Sequence, residues 1–192
     1  MNRFDYFWLK WRAIANLVLG RNAAALQIFD TMLARQPDDG YALASRAHLL
    51  MQAGLHAQAL ADSERLVVIR GDDARTWFNH GYMLEAAERW EEALAAFVRA
   101  TELSPALDRA WYGQGLVLIR LQRYDEAARA LERNTELQPM SPHGWYQLAR
   151  VHVDRHEPDK AAKIIRHLKG FEPKVAAQLE RETGLWVNEP AS

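Results

Sequence analysis

Apolar residues recur along most of the chain at spacings of three and four residues, which is the period of an amphipathic α-helix. A clear example is Trp77, Gly81 and Leu84, followed after a short polar stretch by a second run from Ala93 through Phe97. Two such runs separated by polar residues predict a helix, a turn and a second helix. The pattern therefore predicts an all-α fold class.

The two-helix pattern repeats every 34 residues, without a gap, over residues 6–39, 40–73, 74–107, 108–141 and 142–175. One column of the repeat holds small residues, namely Ala13, Ala47, Gly81, Gly115 and Ala149, and a second holds only alanine, at Ala25, Ala59, Ala93, Ala127 and Ala161. A third column is large and apolar, with Leu9, Leu43, Trp77, Trp111 and Trp145. Small residues are expected where the two helices of a pair cross closely. The units end at Pro37, Gly71, Pro105, Pro139 and Pro173, which are expected to stop the second helix.

The third and fourth units, which contain WFNHGYMLEAAERWEEALAAFVRATELSP and WYGQGLVLIRLQRYDEAARALERNTELQP, resemble tetratricopeptide repeats in their period and in these columns. The resemblance covers residues 6–175. It implies a right-handed superhelical solenoid of helix-turn-helix repeats, in which stacked neighbours bury a continuous core. We therefore expect a single domain over residues 1–192, with a C-terminal capping helix and tail at 176–192.

The resemblance also implies a binding scaffold whose first helices line a concave groove. The residues expected to face the groove are mostly aromatic and basic: Tyr41, His48, Arg75, Phe78, Asn79, Tyr82, Arg109, Tyr112, Arg120, His143, Tyr146 and Arg150. Two interpretations stay open for the rings of Phe78, Tyr112 and Tyr146, which either contact a partner or pack on the neighbouring helix. The arginines either form a solvated face or favour a partner segment with carboxylates and an aromatic or aliphatic anchor.

The first helix carries four aromatic residues that one repeat is not expected to bury, Phe4, Phe7, Trp8 and Trp11. A large exposed aromatic patch usually marks an interaction surface. We expect this N-terminal end to form a two-fold homodimer or to dock on a partner, with peripheral membrane contact as a further use. The alternative is a terminus that folds back over the first hairpin.

One column that the family keeps apolar contains Arg12, Arg46, His80 and Gln114. Polar groups buried in a helix interface require partners, because an unsatisfied donor costs about 1–3 kcal/mol. The alternative is that their side chains reach outward along their stems. The sequence leaves both interpretations open.

Composition gives no sign of nucleic-acid binding or of a disulfide framework. The chain has 192 residues, of which 49% are hydrophobic and 26% charged, with a formal net charge of −1 and no cysteine. The absence of cysteine excludes disulfides, thiolate metal sites and thiol nucleophiles, and the charge balance leaves no basic footprint for nucleic acid. No apolar run approaches the roughly 20 residues that span a bilayer. Because Asp5 and Asn16 interrupt the only segment that resembles a secretory signal, we expect a cytoplasmic protein.

Signals for catalysis are weak. His152 and His156 lie four residues apart, with His143 in the same repeat, which is a spacing that two metal ligands on a helix use. His152 also falls in an apolar column, where a buried structural histidine is the other interpretation. Without a phosphate loop or a serine-nucleophile motif, we predict no cofactor, no metal and no enzyme.

The predicted function is a protein-interaction scaffold or chaperone-like adaptor that binds another protein or peptide segment, with acidic and apolar groups, in the groove. The alternative is a regulatory or assembly subunit of an enzyme complex or secretion machine, which docks through its ends or its convex face.

Overall fold

The computed structural model describes residues 3–187, and all regular secondary structure in this range is helical. The helices are α1 (Arg3–Val18), α2 (Asn22–Arg35), α3 (Gly40–Gln52), α4 (His56–Ile69), α5 (Ala74–Ala86), α6 (Trp90–Leu103), α7 (Asp108–Arg120), α8 (Tyr124–Leu137), α9 (Pro142–Asp154), α10 (Pro158–Lys169) and α11 (Pro173–Thr183). Each predicted repeat supplies one pair, a first helix and a second helix, and α11 follows as a single helix. The all-α repeat fold predicted from the sequence is confirmed.

The contacts within the chain form two compact units, Met1–Arg89 and Trp90–Ser192. In the first unit, each helix from α1 to α4 packs against the next helix in the chain. In the second unit, α6 to α10 do the same, and α11 also packs against α9, the first helix of the preceding pair. The boundary between the units falls between the two helices of the third repeat, and the single domain over 1–192 stays a prediction.

The small-residue columns lie where helices approach each other most closely. The five alanines from Ala25 to Ala161 are fully buried. At Gly115 in α7, an added Cβ would lie 2.6 Å from Cγ and Cδ2 of Leu131 in α8, far inside an ordinary contact. Glycine is therefore required at this crossing by packing, as its place in the repeat indicates.

The three tryptophans of the large apolar column have a second role that the sequence pattern does not reveal. The indole nitrogens of Trp77, Trp111 and Trp145 each donate a hydrogen bond to the carbonyl oxygen six residues earlier, at 2.8, 2.9 and 2.8 Å. Those acceptors are the residues that end the preceding repeats. Each tryptophan therefore packs beside the helix crossing and also holds the loop that connects two repeats.

The turn inside each helical pair contains one residue in the left-handed region of the backbone. These residues also recur at 34-residue intervals: Gly20, Gly54, Glu88, Gln122 and His156, with φ of 68°, 74°, 59°, 59° and 59°. Glycine adopts this conformation without strain, whereas a residue with a Cβ pays about 1–2 kcal/mol. The turns of the first two repeats therefore have glycine at this position, whereas the turns of the last three repeats have a residue with a Cβ, which is strained there.

The polar column within the first unit is centred on a half-buried ion-pair network. Arg46 in α3 donates from Nε and Nη2 to the two carboxylate oxygens of Asp62 in α4, both at 2.7 Å, and from Nη1 to Asp30 in α2 at 2.7 Å. Asp62 is 3% exposed, so its charge depends on this guanidinium. The hydrogen bond to Asp62 is the main cause that raises the pKa of Arg46. Arg12, at the start of the same column, is exposed.

The next two members of the column are buried and find polar partners on the preceding second helix. The Nδ1 atom of His80 lies 2.8 Å from the hydroxyl of Ser63. The side-chain amide of Gln114 donates to Thr101 Oγ1 at 2.7 Å and to the carbonyl oxygen of Phe97 at 3.3 Å. These hydrogen-bonding partners explain why polar residues are tolerated in this interface.

The last helix begins earlier than the predicted cap. α11 starts at Pro173, which occupies the first turn of the helix instead of ending the fifth repeat. Leu179 is fully buried and lies 34 residues after Trp145, so α11 has the pattern of a further first helix. Glu180 accepts hydrogen bonds from Lys169 at 2.8 Å and from the backbone of Val187 at 2.9 Å, which fixes the chain that follows the helix.

Candidate functional site

In the first unit, the predicted groove residues lie on α3 and α5. His48, Arg75, Asn79 and Tyr82 are exposed, whereas Tyr41 and Phe78 are half-buried. The ring of Tyr41 contacts the buried ring of Phe29 edge to face, with centroids 6.0 Å apart, and Lys10 Nζ lies 4.5 Å from its centroid. His48 is within 3.0 Å of Gln52 on the same helix. Tyr41 thus packs on the core of its own unit, while the side chains of His48, Arg75, Asn79 and Tyr82 are accessible.

In the second unit, three of the predicted residues line one cavity. Tyr112 on α7 and His143 and Tyr146 on α9 face a space of about 320 Å³, together with Gln147. The opposite wall is formed by Val175 and Gln178 of α11, with Pro142 at the start of α9. Two aromatic rings, one apolar side chain and several hydrogen-bonding groups therefore converge on a single concave surface.

A second cavity of about 400 Å³ lies on the other side of Tyr146, between α9 and α11. Its walls are Tyr146, Arg150, Val153, Asp154, Glu182 and Thr183. The hydroxyl of Tyr146 donates to Glu182 Oε2 at 2.6 Å, and the guanidinium of Arg150 lies 5.8 Å from the centre of the Tyr146 ring. Tyr146 separates the two cavities, and both charge signs are present in the second one.

The electrostatics keep Glu182 ionised and Tyr146 protonated. The hydrogen bond from Tyr146, followed by the one from Gln178 at 2.8 Å, lowers the pKa of Glu182. Burial, followed by the hydrogen bond to Glu182, raises the pKa of Tyr146. The pair therefore presents a fixed negative charge and an aromatic face, and it offers no group that titrates near neutral pH.

Two predicted arginines of the second unit lie outside both cavities. Arg109 is exposed and lines neither of them. The guanidinium of Arg120 lies 5.9 Å from the centre of the Trp90 ring, which belongs to the second helix α6. Arg120 therefore contacts a neighbouring helix, and its role in partner binding stays a prediction.

The wall contributed by α11 was not identified from the sequence. Gln178 and Glu182 lie in the segment for which the sequence predicts a C-terminal capping helix, and Val175 is the last residue of the predicted fifth repeat. The signal was available in Leu179, which continues the column of Trp145 at the same 34-residue interval. A further first helix next to α9 is expected to present its own groove-side residues.

A third cavity, of about 500 Å³, lies on the second-helix side of the second unit. Its lining is largely apolar, with arginines at its edge: Leu94, Val98, Trp111, Gln114, Leu118, Arg123, Glu126, Arg129, Ala130 and Arg133. Arg123 and Arg133 are held by Glu126 and Glu136, each at 2.7 Å. This surface is distinct from the two cavities that contain Tyr146.

The predicted N-terminal residues are all strongly exposed on α1. The exposed fractions of Phe4, Phe7, Trp8 and Trp11 are 76%, 58%, 58% and 53%. Phe7 and Trp11 contact each other edge to face with centroids 5.9 Å apart. The first hairpin therefore does not bury these rings.

The histidines considered as metal ligands have structural surroundings. His152 is buried, and its Nδ1 lies 2.7 Å from Glu157, whose pKa is lowered mainly by this hydrogen bond. His156 occupies the left-handed turn position that follows α9. Within residues 3–187, no three His, Asp or Glu side chains converge as metal ligands. In the same range, no helix has both the length and the apolar character needed to cross a membrane.

Comparison with known proteins places these features in a family. The model of the family described as tetratricopeptide repeat matches residues 11–75, 78–133 and 112–173. A comparison with curated protein sequences found no match.

Solved structures with the same fold include MamA from Desulfovibrio magneticus RS-1, which is 19% identical with a TM-score of 0.78, over 91% of this chain and 94% of that one. YrrB, described as a tetratricopeptide repeat protein with an unusual peptide-binding site, is 18% identical with a TM-score of 0.78, over 88% of each chain. TTC0263 from Thermus thermophilus is 23% identical with a TM-score of 0.62, over 90% of this chain and 93% of that one. The repeat pattern, the helical pairs and the family match agree, and the chain belongs to the tetratricopeptide repeat family.

Proposed function

We propose that this chain is a non-enzymatic interaction scaffold, or a chaperone-like adaptor, that holds a segment of another protein against its first helices. The observation that carries the proposal is the cavity of about 320 Å³ lined by Tyr112, His143, Tyr146 and Gln147 and closed by α11. Cavities of this size, with aromatic walls and a few hydrogen-bonding groups, are suited to anchoring one side chain of a bound segment. YrrB, which has this fold, is described as having a peptide-binding site.

The surroundings of the cavity define the partner that we propose. Tyr112 and Tyr146 suit an apolar or aromatic anchor residue, whereas Glu182 and Asp154 suit a basic group that enters the neighbouring cavity. Acidic groups of the partner suit the exposed side chains of Arg75 and Arg109 elsewhere on the first helices. We expect the partner to be a cytoplasmic protein segment of mixed charge, because both signs of charge border the apolar site.

The test is a comparison of proteins that copurify with wild type, with Tyr112→Ala/His143→Ala and with Val98→Glu. Val98 lies on the second-helix side and is 37% exposed, so its variant is a matched control for a surface change in the same unit. We expect the first variant to lose the main partner and the control to keep it. Retention by the first variant and loss by the control would show that the groove is not the binding site.

The arginines are tested separately by Arg75→Glu/Arg109→Glu. We expect this variant, and also high salt, to weaken partner binding, because exposed charge pairs are screened over roughly 8 Å at physiological ionic strength. A partner that binds equally well at low and high salt would contradict the role of the arginines and leave the aromatic cavity as the anchor.

A second candidate function is favoured by the apolar cavity of about 500 Å³ between α6, α7 and α8. A subunit that docks on an enzyme complex or secretion machine through this face would cover the exposed side chain of Val98, beside the buried side chains of Leu94 and Leu118. The same copurification experiment separates the two functions, since Val98→Glu places a charge in this cavity and leaves the groove unchanged. Homodimerisation through the N-terminal end, expected from the sequence, is tested with the experiment described below.

A further inference from the structure

The side of α1 that faces away from its own core is apolar over the whole length of the helix. At 100° per residue, Leu9 and Ala13 point to the core, and the opposite face carries Phe4, Phe7, Trp8, Trp11, Ala15 and Val18. Val18 is 81% exposed, and the four rings are each more than half exposed. At about 200 Å² per ring, their exposed surface is on the order of 500 Å². A patch of that size on a folded protein usually marks an interaction surface.

A further tetratricopeptide repeat does not fit on this face. In the later repeats, the column of Trp8 holds Ala42, Thr76, Ala110 and Gly144, all of them small and buried. They are small because the second helix of the preceding repeat passes directly over them. A Cβ added at Gly144 would collide with the side chain of Asn134 in α8 and lie 3.1 Å from Thr135. The indole of Trp8 fills the same space, which excludes regular stacking of another repeat, from this chain or from a second copy.

The charges that flank α1 indicate which kind of partner can cover this face. Arg3 and Lys10 flank the apolar stripe on one side, and Arg12 flanks it on the other side, with Asp5 about 20° from Arg12 around the helix. Neither Arg3 nor Arg12 forms an ion pair with any residue between 3 and 187. Two copies paired through α1 would therefore bring six cationic groups together with only two carboxylates, those of Asp5, to compensate. An anionic surface is the complementary one.

We propose that α1 docks this chain on the surface of a membrane that contains anionic phospholipids. The rings of Trp8 and Trp11 lie at the boundary between headgroups and acyl chains, the depth at which tryptophan is enriched. The helix lies in the plane of the membrane with its apolar face buried by roughly 5–10 Å, and Arg3, Lys10 and Arg12 contact the phosphates. This mode of attachment uses none of the residues that line the two cavities containing Tyr146.

The experiment is flotation of the full chain with vesicles of phosphatidylcholine and phosphatidylserine, beside vesicles of phosphatidylcholine alone. We expect binding to the anionic vesicles at low salt, much weaker binding to the neutral ones, and a blue shift of tryptophan fluorescence on binding. Trp8→Gln/Trp11→Gln should lower the partition coefficient roughly tenfold or more, because it removes the inserted rings. Lys10→Glu/Arg12→Glu should abolish the preference for anionic vesicles.

Two control variants carry matched changes at exposed positions of the other unit. Trp186→Gln removes a ring that is 72% exposed, and Lys163→Glu/Lys174→Glu reverses two exposed charges, and both should float like wild type. Circular dichroism and thermal melting establish that every variant is folded. Light scattering without vesicles reports the oligomeric state.

Three results would overturn the proposal. The first is a wild-type chain that floats with neither kind of vesicle. The second is flotation that the α1 variants do not reduce. The third is a wild-type dimer that Trp8→Gln/Trp11→Gln converts to a monomer, which would assign the face to a second copy of this chain.

Discussion

Replacement of Gly115 by alanine should destabilise the second unit, although alanine is the better helix former. Gly115 lies inside α7, and a Cβ there would be 2.6 Å from Cγ and Cδ2 of Leu131. Carbon atoms in contact are normally about 3.5–4.0 Å apart. Leu131 is fully buried, so its side chain has no solvent-filled space to move into. The two helices therefore have to separate by about 1 Å or Leu131 has to leave its rotamer.

The magnitude follows from two opposing effects. Overpacking of a tight core costs about 1–3 kcal/mol, and the change from glycine to alanine in a helix stabilises by about 1 kcal/mol. The net expectation is a loss of about 1 kcal/mol for Gly115→Ala. Gly115→Leu adds bulk with no further gain in helix propensity, so its loss should approach about 3 kcal/mol.

The assay is urea unfolding followed by circular dichroism, in a cycle with Leu131→Ala. Leu131→Ala alone should cost about 2–5 kcal/mol through the cavity that it leaves. In that background the Cβ at position 115 has room, so Gly115→Ala should become stabilising by about 1 kcal/mol. An effect of Gly115→Ala with the same sign and size in both backgrounds would refute the packing argument.

Three further predictions concern the turns, the ion-pair network and the C-terminal end. Gln122→Gly should stabilise the chain by about 0.5–1 kcal/mol, because glycine adopts the left-handed backbone conformation without strain. Gly54→Ala should destabilise the chain by about 1 kcal/mol for the same reason. The midpoints of urea unfolding test both variants, and two shifts of the same sign would contradict the reasoning. Arg46→Met should cost about 3 kcal/mol, because it leaves the carboxylate of Asp62 buried and unpaired. Asp62→Ala should cost less, because the partly exposed guanidinium of Arg46 keeps its ion pair with Asp30. Equal losses in the free energy of unfolding, measured by chemical denaturation, would argue against this asymmetry. The pKa of Glu180 is lowered from an ordinary value of 4.5, chiefly by the hydrogen bond from Lys169. The contribution of Glu180 to stability is therefore present above pH 4.5 and is lost as the pH falls through its lower pKa in the folded state. The free energy of unfolding of Glu180→Gln, measured at neutral pH and in acid, should be less sensitive to acid than that of wild type.

The fold could be predicted because its determinants are local and repeated. The 34-residue period and the small residues at the helix crossings, such as Gly115, place every helical pair in sequence. The partners of the polar column could not be predicted, because Arg46 meets Asp62 of its own helical pair and Asp30 of the preceding pair only when three helices pack together. Such contacts depend on which faces of neighbouring helices meet, and the period of one helix does not contain that information.

The candidate site was predicted in part for the same reason. The resemblance to tetratricopeptide repeats places Tyr112, His143 and Tyr146 on the groove side, and in the structure these three residues line one cavity. The opposite wall belongs to α11, which begins at the end of the fifth predicted repeat and has no paired helix within residues 3–187, so the repeat boundaries concealed it. Arg120 was expected in the groove, but its long side chain reaches the ring of Trp90. The position of a residue in the repeat does not determine the direction that a long side chain takes.

The polar column also affects how faithfully the chain assembles. Repeats that share one sequence pattern present similar apolar faces, so a nascent chain has several nearly equivalent ways to stack its hairpins. Here the interfaces between hairpins differ in chemistry: the guanidinium of Arg46 with the carboxylate of Asp30, the imidazole of His80 with the hydroxyl of Ser63, and the amide of Gln114 with the hydroxyl of Thr101. A hairpin docked on the wrong neighbour would bury at least one of these groups without its partner. We expect these three pairs to raise the free energy of mis-stacked intermediates. The chain should therefore refold with fewer trapped species than a variant in which Arg46, His80 and Gln114 are all replaced by leucine.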